Sequence, residues 1–277
     1  NNLNIGIRSI TDDALIELEH KNATSIHISP DGKRLYSYAS HFLSPSIDTS
    51  TLKVWDIHSG KLIDELSGDF VDIQISPDGK KLLMTDLLKQ IVVLDSKDLD
   101  KQLFSFKLHG NDVNGKELYF NGLIQFSPDG KYVIFHTSNR LYVMDAYTGE
   151  NKLSMEILDN QIGGITVSPC GRFLAVSNAR YDYDPDKGDS DWVKVYELET
   201  GKEISDPIIP GYAIKYYGIR FLNDSRSILV YGRGAGAQTQ IWDMKTGLPA
   251  SAPLPSKGTY SPKFSLLVED VDADTCL

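Results

Sequence analysis

Apolar residues alternate with polar ones along much of the chain, in short runs bounded by turn residues. Ile26 and Ile28, then Val71, Ile73 and Ile75, then Ile124 and Phe126, then Ile165 and Val167 each mark one face of a strand, because side chains repeat with a period of two in extended backbone. Each run feeds a recurring string: Ile28-Ser29-Pro30-Asp31-Gly32-Lys33, Ile75-Ser76-Pro77-Asp78-Gly79-Lys80, Phe126-Ser127-Pro128-Asp129-Gly130-Lys131 and Val167-Ser168-Pro169-Cys170-Gly171-Arg172. Degenerate copies stand at Phe221-Leu222-Asn223-Asp224-Ser225, with Leu222 aligned to the proline, and at Tyr260-Ser261-Pro262-Lys263. Proline presets one turn angle and glycine accepts positive φ, so the string predicts a hairpin. Second strands follow at 34–38, 81–85, 132–136, 173–177, 227–231 and 265–268. Third strands end in a large residue and an acid: Val54-Trp55-Asp56, Val93-Leu94-Asp95, Val143-Met144-Asp145, Val195-Tyr196-Glu197 and Ile241-Trp242-Asp243. Turns closing on Gly60, Gly149, Gly201 and Gly247 lead into a short fourth strand, as at 61–66.

Four antiparallel strands repeated along a chain predict an all-β fold of the β-propeller type, in which each sheet has an apolar face that only its neighbour covers. The repeated Ser-Pro-Asp-Gly hairpins and the Trp-Asp strand ends of Trp55-Asp56 and Trp242-Asp243 resemble the WD-repeat β-propeller family over essentially the whole chain. The turn positions Pro30, Pro77, Pro128, Pro169, Leu222 and Pro262 are separated by 47, 51, 41, 53 and 40 residues, and the two chain ends together supply one further interval of 45. A six-bladed propeller in one domain, 1–277, is therefore expected. Its full blades run over roughly 23–66, 69–106, 118–155, 161–205 and 213–250. A sixth blade takes its outer strands from 1–19 and its inner strands from 256–277, so pairing of the N- and C-terminal strands closes the ring and removes exposed sheet edges. Seven blades with truncated ends are the alternative. The family resemblance also implies a buried network of the Gly-His histidine, an Asp before the third strand, a Ser or Thr and the Trp. His20 occupies the histidine slot, but counting back seven residues from Asp56, Asp145 and Asp243 reaches Thr49, Ser138 and Gly236, so the network is expected to be mostly absent.

Composition is near the globular average, with 41% hydrophobic and 24% charged residues, which excludes disorder and collagen. The 28 basic and 38 acidic residues leave a net charge of −10; duplex nucleic acid and anionic membranes are repelled on average. No apolar run is long enough to span a membrane, and no charged-then-apolar leader opens the chain. Its opening on Asn1 reads as a trimmed or processed end. Cys170 and Cys276 are too few for a disulfide scaffold and fit no zinc or redox motif, so free thiols and a cytoplasmic location are expected.

Loop lengths point to where recognition resides. Insertions at 39–51, 107–117, 178–191, 206–215 and 232–237 all fall on the end of the blades opposite the short hairpins, and loops that outgrow their repeat carry binding. The candidate partner contacts are His41 and Asp48 in the first insertion, His109 in the second, Tyr181, Asp182, Tyr183, Asp184, Asp186 and Trp192 in or beside the third, and Arg233 in the last. Asp182, Asp184, Asp186, Asp189 and Asp191 alternate as calcium ligands do. Gly188 sits one place late, however, and Val193 stands where a bidentate Glu is required. A solvated acidic loop, or one that receives a Lys- or Arg-bearing peptide on Tyr181 and Tyr183, fits better.

Gly110 to Lys116 matches a phosphate loop only as far as Lys. Glu117 replaces the Ser or Thr, and a strand rather than a helix follows. The stretch from Gly232 to Ala237 lacks the helix that a dinucleotide fingerprint needs. There is no nucleophile elbow, zinc-protease motif or cysteine pair. His27 and His136 fall inside strands and His58 in a tight turn, which leaves no catalytic residue, metal ligand or cofactor site to assign. The reading is a noncatalytic scaffold that presents its loop-rich face to a protein or peptide, alone or as one domain of a larger protein. The alternative is a propeller enzyme or a small-ligand or calcium sensor that uses the central channel.

Overall fold

The computed structural model describes residues 5–8, 15–41, 49–86, 90–107, 124–137, 140–157, 162–178, 191–232 and 238–255. These residues carry strands, turns and bends but no helix. They fall into two compact units, Asn1–Gly110 with Ala146–Gly149, and Asn111–Asp145 with Glu150–Leu277.

In the first unit, β1 (Ile5–Arg8) and β2 (Leu15–Leu18) form an antiparallel pair. Strands β3 (Ser25–Ile28), β4 (Arg34–Ala39), β5 (Ser50–Asp56) and β6 (Leu62–Gly68) form a four-stranded meander, as do β7 (Phe70–Ile75), β8 (Lys81–Asp86), β9 (Gln90–Asp95) and β10 (Asp98–Lys107). One face of the β3–β6 sheet packs on the β7–β10 sheet through Tyr36, Tyr38, Leu52 and Val54 against Phe70, Ile73, Leu82 and Met84. The opposite face packs on β1 and β2 through Leu35 and Trp55 against Ile5, Ile7, Ile16 and Leu18.

The second unit holds β11 (Ile124–Phe126), β12 (Tyr132–His136), β13 (Arg140–Asp145) and β14 (Asn151–Glu156), then β15 (Ile162–Val167), β16 (Phe173–Asn178) and β17 (Val193–Glu197), then β18 (Ile214–Phe221), β19 (Ser227–Gly232), β20 (Gln238–Asp243) and β21 (Leu254–Pro255). The same stacking recurs there. Ile134, Leu141 and Val143 meet Ile162, Ile165, Leu174 and Val176, and Ala175, Val193 and Val195 meet Ile219, Phe221, Ile228 and Val230. Antiparallel four-stranded sheets stacked face to face in this way have the form of propeller blades.

The hairpins adopt their predicted geometry for local reasons. In the first, Ser29 N–H bonds Arg34 O at 2.9 Å, Gly32 N–H bonds Ser29 O at 2.8 Å, and the Ser29 hydroxyl donates to Asp31 Oδ1 at 2.6 Å. Gly32 has φ 68, and Gly79, Gly130 and Gly171 repeat it at 68, 68 and 75, the left-handed region that glycine enters without cost. The degenerate copy shifts by one residue from the sequence alignment. Leu222 N–H bonds Ser227 O and Ser225 N–H bonds Leu222 O, which puts Asn223, not Leu222, in the proline's place. Ser225 carries the left-handed turn at φ 53, and Asp224 Oδ1 accepts the amides of Arg226 and Ser227.

One further expectation is corrected. The insertion expected at 206–215 begins as a sheet edge: Glu203 bridges Tyr196, as a fourth strand after Gly201 requires, and Ile208 bridges Val193, so 206–208 continue beside β17 with Ile208 fully buried. Ile26 and Ile28, which mark one face of β3, are 52% and 60% exposed. They pair with Ser37 and Leu35 and so share the face of Leu35 and Trp55. The β1–β2 pair covers only the outer half of that face.

Candidate functional site

Within each sheet, the connection from second to third strand leaves at the end opposite the hairpin, and its length varies widely. β8 and β9 are joined by 87–89, whereas β4 and β5 are joined by 40–49 and β16 and β17 by 179–192. Eight of the ten candidate contact residues, Asp48, His109, Tyr181, Asp182, Tyr183, Asp184, Asp186 and Arg233, lie outside the described residues. His41 and Trp192 lie within them, each at the neck of an insertion.

The His41 neck is closed by Ser50, the buried first residue of β5. Its hydroxyl oxygen accepts the His41 amide at 3.3 Å and lies 2.9 Å from the ring Nδ1. At the Trp192 neck, Asn178 Oδ1 accepts the Trp192 amide, and Asn178 N–H donates to Trp192 O at 3.2 Å. The Trp192 ring packs on the core beneath it, with the Lys194 ammonium 5.1 Å from its centroid. Beside it Asp191, 1% exposed, accepts the Ile214 amide on Oδ2 at 2.7 Å. Asp191 thus braces the neck of this insertion to the next sheet. Asp191→Ala leaves the buried Ile214 N–H without that acceptor and is expected to cost about 1–3 kcal/mol. Amide exchange at Ile214 checks it: the variant exchanges faster there while β7–β10 is unchanged.

The histidine network, expected to be mostly absent, is present in the first full sheet, with one substitution. His20 Nδ1 lies 2.6 Å from Ser37 Oγ and Nε2 lies 2.8 Å from Thr51 Oγ1, while the Trp55 indole donates to Ser37 Oγ at 2.8 Å. A hydroxyl at Thr51, inside β5, replaces the carboxylate, so counting back to Thr49 missed it. Burial, reinforced by the nearby Lys53 charge, pushes the His20 pKa down to about 4. The other sheets put Met84, Phe135, Val176 and Val230 at the place of Ser37, which leaves the tryptophan or its replacement without a hydroxyl there.

A second buried polar group went unrecognised in the sequence. Lys81 is 1% exposed, its ammonium 3.2 Å from Asp78 Oδ2 and 3.8 Å from the centroid of the Tyr147 ring, whose hydroxyl donates to the same oxygen at 3.2 Å. Burial works against the Asp78 carboxylate, but hydrogen bonds from Ser76, the Lys80 amide and Lys81 outweigh it and hold its pKa at about 2. A run of two lysines reads as solvated surface, and only the Tyr147 ring packed over one of them shows otherwise.

Among the described residues no three His, Cys, Asp or Glu side chains are grouped to hold a metal, and no helix is long and apolar enough to cross a membrane. Cys170 is disulfide-bonded, which corrects the expectation of free thiols; the only other cysteine, Cys276, lies outside the described residues.

No family model and no curated protein sequence matches the chain. Solved structures do. A chain of a mitotic checkpoint complex crystal structure superposes with a TM-score of 0.61 at 13% identity, over 92% of this chain and 73% of that one. A chain of Kuenenia stuttgartiensis hydrazine synthase superposes with a TM-score of 0.57 at 18% identity, over 84% of this chain. The match spans 66% of the hydrazine synthase chain, slightly under two thirds of its length. At these identities the likeness is one of fold, and a fold carries many functions.

Proposed function

We propose that the protein is a noncatalytic interaction module, a six-bladed WD-repeat-like propeller that presents its insertion-bearing face to a protein or to a basic peptide. The observation that carries this reading is the contrast between the two ends of each sheet. The hairpins are nearly identical, whereas the opposite connections range from 87–89 to 179–192. Selection for packing alone leaves both ends short, and long loops on a braced stem are how rigid scaffolds recognise partners. The likeness to a chain of a checkpoint complex supports a protein partner. The acidic insertion and the net charge of −10 favour a basic one, since charge complementarity steers association. Ring closure by 256–277 is part of this reading. The uncovered Ile26 and Ile28 lie on the same face as the covered Leu35 and Trp55, which is where two further inner strands are needed.

The test is binding of a Lys/Arg-rich peptide library by fluorescence anisotropy. Peptides that bind are expected to lose affinity as salt rises. They are also expected to lose at least about tenfold when Tyr181, Tyr183 and Arg233 become alanine, the scale of two or three interface anchors. Wild-type affinity in that variant for every peptide bound rejects the reading. A rise in melting temperature with calcium that is lost in Asp184→Asn favours the sensor alternative instead.

A further inference from the structure

The inner strands share one polar position, three residues before the turn proline or its equivalent: His27 on β3, Gln74 on β7, Gln125 on β11, Thr166 on β15 and Arg220 on β18. Its occupants meet their hydrogen-bonding needs in different ways. Gln74 bonds Asp72, Thr166 Oγ1 accepts the Phe221 amide at 3.5 Å, and Arg220 is exposed. Gln125 differs: its Nε2 is buried and has no hydrogen-bond partner among the described residues.

A second buried atom with the opposite need is a near neighbour. Gln125 pairs with Ile134 across β11 and β12, so the two side chains share a face, and His136, two residues beyond Ile134, shares it too. Such a diagonal pair has Cα atoms roughly 7–8 Å apart, within reach of long side chains. His136 is 1% exposed. Its Nδ1 lies 2.8 Å from the carbonyl oxygen of Thr137, and because a carbonyl only accepts, Nδ1 carries the proton. Burial holds the His136 pKa below the ordinary histidine value, so the ring is neutral and Nε2 offers a lone pair. Nε2 likewise has no partner among the described residues. The face is covered by Ile162 and Ile165 of β15, and between them the strand carries Gly163 and Gly164, where its register with β16 shifts. Between the two covering isoleucines the strand therefore carries no side-chain volume.

We infer that a single buried water bridges this pair, accepting from Gln125 Nε2 and donating to His136 Nε2, in a polar niche opened by Gly163 and Gly164. A buried water is stable where it gains two or more polar partners, and it converts two costly orphan atoms into satisfied ones. The bridge ties the three-residue β11 to β12 at the end of the sheet away from its hairpin.

The test combines a high-resolution crystal structure with NMR on the full chain. The expected result is an ordered water within hydrogen-bond distance of both atoms, a protein–water cross-relaxation signal at the Gln125 amide, and the Nδ1–H tautomer of His136. Gln125→Met and His136→Leu are each expected to lower the melting temperature, and the double variant by less than the sum, because each single change strands the same water. A dry niche, a direct bond from the Gln125 amide to His136, or additive melting shifts overturn the proposal. If His136→Leu does not fold, Gln125→Met decides with the NMR signal: loss of the bound water moves the Nε2 resonance, and an unmoved resonance rejects the bridge.

Discussion

Replacing Trp55 by alanine is expected to destabilise the protein by about 3–5 kcal/mol, the range for truncating a buried aromatic residue. The indole is 6% exposed and joins Leu35 and Leu18, with Ile5, Ile7 and Ile16 around them, so its loss opens a cavity between β5 and the β1–β2 pair. It also removes the donor to Ser37 Oγ. Trp55→Phe keeps most of the apolar volume and removes the hydrogen bond, whose loss costs about 1–2 kcal/mol, and the same change at Trp242 supplies the volume effect alone. Urea unfolding midpoints measure both. Trp242 is also 6% exposed and packs on Ile228 and Val230, but Val230 stands where Ser37 stands, so Trp242→Phe is expected to cost less than Trp55→Phe. Equal costs would show that the Ser37 hydroxyl adds nothing.

Acidification is expected to destabilise the protein in two separate windows. The His20 pKa falls from 6.5 unfolded to about 4 folded, so the folded state resists the proton that the unfolded chain accepts. Stability from this group is complete above pH 6.5 and is lost as pH falls from there through about 4. A difference of that size between the folded and unfolded states corresponds to a loss of about 3 kcal/mol. His136, also held low by burial, adds to the same window. The carboxylates follow at lower pH. Asp78, held at about 2 against 3.8, contributes stability above 3.8 that disappears as pH falls towards 2. Melting temperature against pH checks the assignment: His20→Gln starts lower at pH 7 but declines less between pH 6.5 and 4, with the residual slope due to His136. An unchanged decline in that variant would remove His20 as the cause.

What the sequence discloses and what it hides divide along the range of the interactions. The hairpins at 29–33, 76–80, 127–131 and 168–172 are legible because serine, proline and glycine fix them within a few residues. At 222–226 the same turn is built by Asp224 side-chain bonds and a left-handed Ser225; without proline or glycine to mark it, the alignment slips by one. The role of Thr51 depends on His20, 31 residues away, and that of Asp191 on Ile214, 23 residues away. Spacing rules within a repeat do not contain such contacts. Asp191 looks like one more acid in an acidic loop until its burial is known. The turn at Gly201 announces a fourth strand, but 206–208 hold Pro207 and lack alternation, so nothing local shows that the sheet edge continues through them. Loop length is what singles out the candidate connections in the sequence, while the side chains that brace their necks, Asn178, Ser50 and Asp191, lie at or beside strand ends and are polar residues of ordinary appearance.

Hydrogen exchange at Ile5–Arg8, in the full chain and in a chain ending at Pro255, tests ring closure most directly. If 256–277 completes the sixth blade beside β1, the full chain protects these amides and the shortened one exposes them, while β7–β10 and β15–β17 stay protected in both. Identical exchange at Ile5–Arg8 in the two chains would contradict the closed six-bladed ring.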